Sequence, residues 1–231
     1  MFLVVLVLLL LLADRGAAVL AGRALGEQIR VNQNLDRAPD VSFAGFPFLT
    51  QAVAGTYEQV DAHFTEVHGG QGLSVQNLDV TMHGVHVPLA AAISGDLQEV
   101  TVDSTEADGT ITFAGLREAA NRRLPSGAKG LTMAADGPDT VKFSGTYPTS
   151  LGNIELAGKI KIEAADGTVR LSVQPESLER VPAGIRDDIA ALLQRAVVVP
   201  QLPLGLRIES VQVTAAGIKL KATGKALTFR R

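Results

Sequence analysis

The pattern of apolar and polar positions divides the chain into an apolar start, a helical segment and a long series of alternating stretches. Phe2–Ala13 is an unbroken apolar run. Ala17–Asp36 follows, with Leu25 and Ile29 four residues apart, which predicts a helix that ends near the next proline. From about Thr56 onward, apolar residues recur at every second position, which is the period of a β-strand with one apolar face.

The alternating stretches predict an antiparallel sheet with one apolar face and one solvated face. Val60, Ala62 and Phe64 begin the pattern, and a later change of phase predicts a bulge near Gln76–Asn77. Asp166-Gly167 predicts a hairpin. The pattern continues through further apolar positions, namely Val80, Val85, Val87, Val100, Val102, Ile111, Phe113, Ile160, Ile162, Val169, Leu171, Val173, Ile208, Val211, Val213, Ile218, Leu220 and Ala222.

Turn and helix signals interrupt these strands. Ala107-Asp108-Gly109 predicts a turn, and Ala114–Leu124 predicts a short helix that ends before a proline. Gly184–Val199 predicts a longer helix with its apolar residues on one face. Strands and helices do not alternate in the rhythm of a parallel sheet. The fold class is therefore α+β, with a long curved antiparallel sheet against amphipathic helices.

Composition narrows the possible functions. The chain has 231 residues, of which 46% are hydrophobic, so a single domain with a sizeable core is expected. The formal net charge of −3 argues against general nucleic-acid binding, which needs a basic excess. The absence of Cys excludes disulfides, thiolate metal sites and a Cys nucleophile.

The apolar run at the N-terminus suggests a signal peptide or a membrane anchor. Phe2–Ala13 is shorter than the roughly 20 residues of a comfortable spanning helix but suits the apolar region of a signal peptide. Val19-Leu20-Ala21 offers a small-residue cleavage site, and an uncleaved anchor is the alternative. We therefore expect a signal peptide or anchor helix at residues 1–24 and one domain at residues 25–231.

The flanking charges conflict with export. Arg15, Arg23 and Arg30 all follow the run, and only Met1 precedes it. The positive-inside rule, applied literally, would keep the domain in the cytoplasm. We expect instead that a short basic segment lies upstream of this start.

Catalytic and metal-binding patterns are weak throughout the chain. Gly152–Lys159 is one residue too long for a phosphate-binding loop, and Ile160 stands where such a loop needs Ser or Thr. His83 and His86 are three apart, which places them on opposite faces of a strand. We therefore predict no catalytic residues, no metal site, no cofactor and no enzymatic activity.

An interrupted aromatic segment is the most distinctive feature of the chain. Phe43, Phe46 and Phe48 lie close together in a chain with only 8 Phe, 2 Tyr and no Trp. Gly45 and Pro47 break any regular helix or strand between them. Two interpretations remain open, a hydrophobic corner packed inside the domain and a lip that contacts an apolar ligand or a membrane.

Two motifs carry a resemblance to a known family. Gly45-Phe46-Pro47-Phe48-Leu49-Thr50-Gln51 is followed by Gly55 and Val60, and Leu202-Pro203-Leu204-Gly205-Leu206-Arg207 is followed by Ser210-Val211, Val213-Thr214 and Gly217. In order and spacing they resemble the LmeA family of actinobacterial cell-envelope phospholipid-binding proteins, over roughly Ala17 to Phe229. The resemblance implies a curved sheet wrapped about a long helix, similar to tubular lipid-binding domains, with a hydrophobic cavity for acyl chains.

Together with the resemblance, these observations predict a non-catalytic phospholipid-binding protein of the extracytoplasmic cell envelope, anchored to or exported across the plasma membrane. The expected partners are a phospholipid and the membrane surface, with no nucleic acid. The resemblance further implies lipid transfer or support of envelope mannolipid synthesis, which would make an envelope glycosyltransferase a partner. The predicted lipid-binding residues are Phe46, Phe48 and Leu49 at the lip, Phe64 on the sheet, and Ile185, Ile189, Leu192 and Leu193 on the long helix.

Two alternatives remain. A membrane-anchored scaffold could stabilise an envelope enzyme by contact, with a filled core and no bound lipid. An enzyme acting on envelope lipids is the third hypothesis, and the lack of a nucleophile, base or metal set counts against it.

Overall fold

A computed structural model describes residues 1–68, 73–87, 99–123, 129–149, 152–173 and 206–230. The predicted helix Gly184–Val199 lies outside these residues. Within them the elements are α1 (Phe2–Gln33), β1 (Asp40–Ala44), α2 (Phe48–Ala54), β2 (Thr56–His68), β3 (Ser74–His86), β4 (Glu99–Thr112), α3 (Phe113–Arg123), β5 (Lys129–Ala135), β6 (Thr140–Thr149), β7 (Gly152–Ala165), β8 (Thr168–Val173), β9 (Arg207–Val213) and β10 (Gly217–Arg230).

The strands form two antiparallel sheets. The first has the order β1-β2-β3-β4-β10-β9, and the second has the order β5-β6-β7-β8. In the part of the chain that the structure describes, neither sheet closes into a barrel. β7 and β8 contact β9, and the Val213 amide donates a hydrogen bond of 2.7 Å to the Pro138 carbonyl. The prediction of an α+β fold with antiparallel sheets is confirmed.

Two hydrophobic clusters hold these elements together. The anchor cluster joins α1 and α2 to one end of the six-stranded sheet, and its buried members are Ala18, Phe48, Tyr57, Val60, Val85 and Val102. The sheet cluster lies between the two sheets, beside α3, and its buried members are Phe113, Val141, Phe143, Ile160, Ile162, Val213 and Ile218. The strand members of both clusters are alternating apolar residues from one face of each strand.

Two local predictions are confirmed and one is wrong. The pairing of β3 with β4 shifts between Gln76 and Asp79, which is the predicted bulge, and Asp166-Gly167 forms the β7–β8 turn. The predicted turn at Ala107-Asp108-Gly109 does not exist, because β4 runs through it without interruption. Gly109 is needed for packing, since a Cβ there would lie 2.7 Å from Val75 Cγ1.

The apolar run and the predicted Ala17–Asp36 helix form one continuous helix, as expected of an apolar segment that leads directly into the domain, but this helix ends earlier than predicted. α1 begins at Phe2 and includes the whole apolar run. It ends at Gln33, and Asn34 has the left-handed conformation common after a helix C-terminus. α2 was not predicted, because seven residues between a proline and Gly55 give too little periodicity to indicate a helix.

Candidate functional site

A band of small and half-buried apolar residues crosses the middle of the six-stranded sheet. Ala62 pairs with Val80, Val80 with Ala107, and Ala107 with Ala222. The three alanines are buried, and Val80 is half-buried. The large neighbours of this row on the same face, Phe64, Leu78 and Met82, are also half-buried. We call these seven residues, together with Thr105, the central band.

Thr105 is a polar residue buried within the central band. Its neighbours across the sheet are Met82 on β3 and Gly224 on β10. Thr105 is only 3% exposed, and among the residues that the structure describes its Oγ1 has no hydrogen-bond partner. Most buried hydroxyl groups in folded proteins have a partner, because an unsatisfied one costs about 1–3 kcal/mol. This hydroxyl is therefore available to a ligand that could reach it.

The alternation of buried and more exposed residues along β4 shifts by one position beside Thr105. Every second residue of β4 is buried from Thr105 to Ile111, but the next buried position towards the start of the strand is Val102. Gly84 and Ala226, which lie at this level of the two neighbouring strands, have positive φ of 60° and 51°. This slip of one residue places Val102 and Thr105 on the same buried face.

The interrupted aromatic segment contains one buried and one exposed phenylalanine. Phe48 is 5% exposed, and its ring centroid lies 5.1 Å from that of Phe43 and 6.1 Å from that of Tyr57. Burial raises the pKa of the Tyr57 phenol. Phe46 is 52% exposed, and the Arg15 guanidinium lies over its ring at 5.2 Å, in the geometry of a cation–π contact.

A buried carboxylate joins α1 to this segment. Asp14 follows the apolar run directly and is only 3% exposed. Its two carboxylate oxygens accept hydrogen bonds from the Phe48 amide at 3.1 Å and the Leu49 amide at 2.9 Å. The first N–H groups of a helix lack partners within the helix, so Asp14 satisfies two such donors of α2.

Small residues allow α1 to lie directly on β1. Ala18, Gly22 and Gly26 are spaced four apart, and all three are buried. A Cβ at Gly22 would lie 2.2 Å from the Val41 carbonyl oxygen, and one at Gly26 would lie 2.4 Å from the Pro39 carbonyl oxygen. Both distances are too short for any side chain, so glycine is required for this contact.

The end of the apolar run and the outer face of α2 lie at the same level of the molecule. Phe46, which precedes α2, is 52% exposed, and Leu49 and Val53 within α2 are 45% and 73% exposed. We call these three residues the α2 face. The hydrogen bond from Leu49 to Asp14 places this face beside the C-terminal end of the run. Within the described ranges, α1 is the single helix long and apolar enough to cross a membrane, a property that signal sequences share.

A groove of about 560 Å³ runs beside the contact between α1 and β1. Arg15, Val19 and Arg23 line it from α1, and Asp40 and Ser42 line it from β1. The groove is open to solvent. Two arginines and the acidic residues Glu27 and Asp40 line it, so their charges balance and it has no strong preference for an anion or a cation.

The polar residues described in the structure pair with one another in small sets. His63 Nδ1 lies 2.6 Å from Asp79 Oδ1, and His86 lies near both Thr56 and Asp103. No group of three His, Cys, Asp or Glu side chains that could hold a metal ion occurs in the described ranges.

The predicted site residues lie in different places. Phe46, Phe48 and Leu49 lie together beside α1, whereas Phe64 lies in the central band. Ile185, Ile189, Leu192 and Leu193 fall outside the described residues. A role of these eight residues in lipid binding stays a prediction.

Sequence reasoning did not identify Asp14 or Thr105. A carboxylate directly after an apolar run is an unusual signal that could have indicated Asp14. No sequence signal indicates Thr105, because its missing partner depends on how three strands come together.

Comparisons with known proteins identify the family. The family model described as LmeA-like phospholipid-binding matches residues 12–223. The chain therefore belongs to the LmeA-like phospholipid-binding family, as the two motifs indicated. No curated protein and no solved structure matched the chain.

Proposed function

We propose that this member of the LmeA-like phospholipid-binding family holds the acyl chains of a phospholipid against the central band of the six-stranded sheet. Binding is non-covalent and requires no catalytic residue. The half-burial of Phe64, Leu78 and Val80, on the same face as two buried clusters, supports this proposal most directly. Burial of a methylene contributes about 0.8 kcal/mol, so about twelve methylenes would contribute about 10 kcal/mol before the cost of ordering the lipid.

The alanines of the central band suit this role for a steric reason. Ala62, Ala107 and Ala222 present only methyl groups, so the floor of the band is shallow on both sides of Val80. Phe64 and Leu78 pair with each other next to this row and form an apolar wall. An extended acyl chain fits a shallow floor beside such a wall.

We further propose that α1 remains attached as a membrane anchor on the extracytoplasmic side of the plasma membrane. Cleavage after Ala21 would remove Asp14 and Ala18, which contribute to α2 and to the anchor cluster. A removable signal peptide does not normally supply buried contacts to the mature domain. Intact-mass analysis of the membrane-bound protein should therefore recover residues 14–21, and their absence would contradict retention.

The exposure of the apolar α2 face supports our proposal that the protein contacts the membrane surface. Phe46 and Leu49 are exposed apolar residues next to the point where the apolar run ends, which is where interfacial aromatic residues gather in membrane proteins. In this arrangement a lipid leaving the bilayer meets the α2 face first. Lipid transfer and support of a mannolipid-synthesising glycosyltransferase are compatible roles for such a protein.

Lipid extraction and native mass spectrometry test the proposed binding. The full-length protein, purified in a mild detergent, should carry one phospholipid per chain. Leu78→Gln should weaken binding of an added phospholipid at least tenfold, because an amide on this face loses hydration without gaining a partner. Thr65→Gln, at an exposed position of the neighbouring strand β2, should bind like the wild type. A protein that stays free of lipid would favour the scaffold alternative.

Fluorescence tests the membrane contact separately. The chain has no Trp, so Phe46→Trp introduces a single reporter. In vesicles its emission should shift to shorter wavelength and be quenched by lipids brominated near the headgroup. Val31→Trp is the matched control, because Val31 is 62% exposed and lies about 25 Å further along α1 than Asp14. Equal quenching at both positions would contradict the proposed contact.

A further inference from the structure

The hydroxyl of Thr105, for which the described ranges offer no partner, lies on the face to which the proposed function assigns acyl chains. It is 3% exposed, in a row whose neighbours are apolar or glycine. Valine has the same shape as threonine and would remove the cost of the unsatisfied hydroxyl. A threonine here is therefore poorly explained by packing alone.

We propose that Thr105 donates a hydrogen bond to an acyl ester carbonyl of the bound phospholipid. This inference rests on the proposed lipid binding and names the group that would fix the position of the lipid on the sheet. A diacyl phospholipid carries its ester carbonyls next to the start of each acyl chain. They are strong acceptors without donors of their own, so they match a hydroxyl that lacks an acceptor.

The neighbours of Thr105 are consistent with such an approach. Gly224 on β10 adds no side chain beside it, and Met82 on β3 is half-buried. Methionine is unbranched and adapts its shape readily, so it can move aside when a ligand arrives. Because Thr105 is 3% exposed, the proposed hydrogen bond requires the Met82 side chain to move aside when the lipid binds.

The position of Thr105 also orients the lipid. On β4 it lies between Val102 of the anchor cluster and Ala107, which belongs to the row Ala62, Val80, Ala107 and Ala222 across the sheet (the alanine row). An ester carbonyl at Thr105 would start an acyl chain at the edge of the alanine row. The chain would then extend along Ala107 towards Gly109 and the sheet cluster.

Ester and ether lipids of the same headgroup and chain length provide the test. Full-length wild-type protein in detergent should bind the diester phospholipid about tenfold more tightly than the diether analogue, which corresponds to about 1.4 kcal/mol. Thr105→Val should bind both analogues equally, with the affinity of the wild type for the diether. Thr105→Ser keeps the hydroxyl and should retain the preference for the diester.

The outcomes separate the two proposals. Equal binding of diester and diether by the wild-type protein overturns the role of Thr105 and leaves the proposed lipid binding intact, and it needs no variant to fold. A preference for the diester that persists in Thr105→Val overturns the role as well. Failure of the wild-type protein to bind either analogue contradicts the proposed function itself, and with it this inference.

Discussion

Two buried threonines, one next to each hydrophobic cluster, differ in whether the hydroxyl group has a hydrogen-bond partner among the described residues. Thr140, beside Val141 of the sheet cluster, is 8% exposed, and its hydroxyl donates to Asp139 at 2.9 Å. Thr105, the member of the central band that lies towards Val102 of the anchor cluster, is 3% exposed, and its hydroxyl has no partner in the described part of the chain. A region that only stabilises the fold satisfies its polar groups, whereas a region that accepts a ligand can leave one unsatisfied until the ligand binds.

The clusters also differ in the elements that form them. Strands and α3 supply the sheet cluster, so it depends only on the folded domain. The anchor cluster requires α1, which is also the helix that begins with the exposed apolar run. Substitutions in the sheet cluster should therefore affect stability alone, and those around the anchor cluster should affect contact with lipid as well.

The largest effect on stability is expected from Phe143→Ala. Phe143 is 5% exposed within the sheet cluster, and loss of a buried phenylalanine side chain costs about 3–5 kcal/mol. Phe46→Ala, at an exposed ring, should change the free energy of unfolding by less than about 1 kcal/mol. Chemical denaturation of both variants in detergent checks this difference, and equal losses would show that Phe46 is part of the core.

A smaller effect is expected from Gly22→Ala. The added Cβ would lie 2.2 Å from the Val41 carbonyl oxygen, so α1 and β1 must separate at a cost of about 1–3 kcal/mol. Gly16→Ala is the matched control on the same helix, because a Cβ there meets nothing within 4 Å. Alanine is the better helix former, so this control should be neutral or more stable by up to about 1 kcal/mol.

Comparison of thermal unfolding in the two variants measures the contact between α1 and β1. If Gly22→Ala behaved like Gly16→Ala, α1 would not be docked on β1 as described.

Opposite effects are expected when each buried threonine becomes valine. Thr140→Val removes a partnered hydroxyl and leaves Asp139 without this donor, so the protein should lose about 1 kcal/mol of stability. Thr105→Val removes an unsatisfied hydroxyl and should raise the stability of the lipid-free protein by about 1 kcal/mol. Differential scanning calorimetry distinguishes the two signs, and a loss at both positions would mean that Thr105 has a partner in solution.

The smallest effect concerns an ion pair next to the sheet cluster. Lys159 Nζ lies 2.6 Å from Asp136 Oδ2, and this hydrogen bond holds the pKa of Asp136 below its ordinary value of 3.8. Because the folded pKa is the lower one, the stabilisation is present above pH 3.8 and is lost as the pH falls through the folded pKa.

Asp136→Asn should therefore lower the midpoint of thermal unfolding slightly at neutral pH. The difference from the wild type should vanish in acid. A difference that is independent of pH would exclude the carboxylate charge as its cause.

Much of the fold could be predicted from local patterns. The strands around Val60, Ile160 and Ile218 follow from strict alternation, and the Asp166-Gly167 turn follows from the φ values these residues tolerate. The prediction of a turn at Gly109 is wrong, because this glycine serves packing within β4. Val75 Cγ1 occupies the space that a Cβ at this position would need, and the sequence cannot show this contact.

The candidate site was predictable only in part. The aromatic segment was visible in the sequence because three Phe lie close together in a chain with few aromatic residues. The sequence could not show that Phe46 is exposed and Phe48 is buried. This difference arises only when Phe48 of α2 packs against Tyr57. Asp14 was missed because its donors are 34 and 35 residues away in the chain.

The α+β class, the apolar run of α1 and the two family motifs can be read from the amino-acid sequence, because each is encoded by residues close together in the chain. Only the folded structure shows where the strands divide into two sheets. It alone also explains why Gly22 and Gly26 must be glycine, since a Cβ at either position would clash with a backbone carbonyl oxygen. It also shows that Thr105 is buried and that no described residue is a partner for its hydroxyl. These features depend on contacts between residues far apart in the chain, and the distances that create a steric clash or an unsatisfied hydroxyl exist only after the strands have paired.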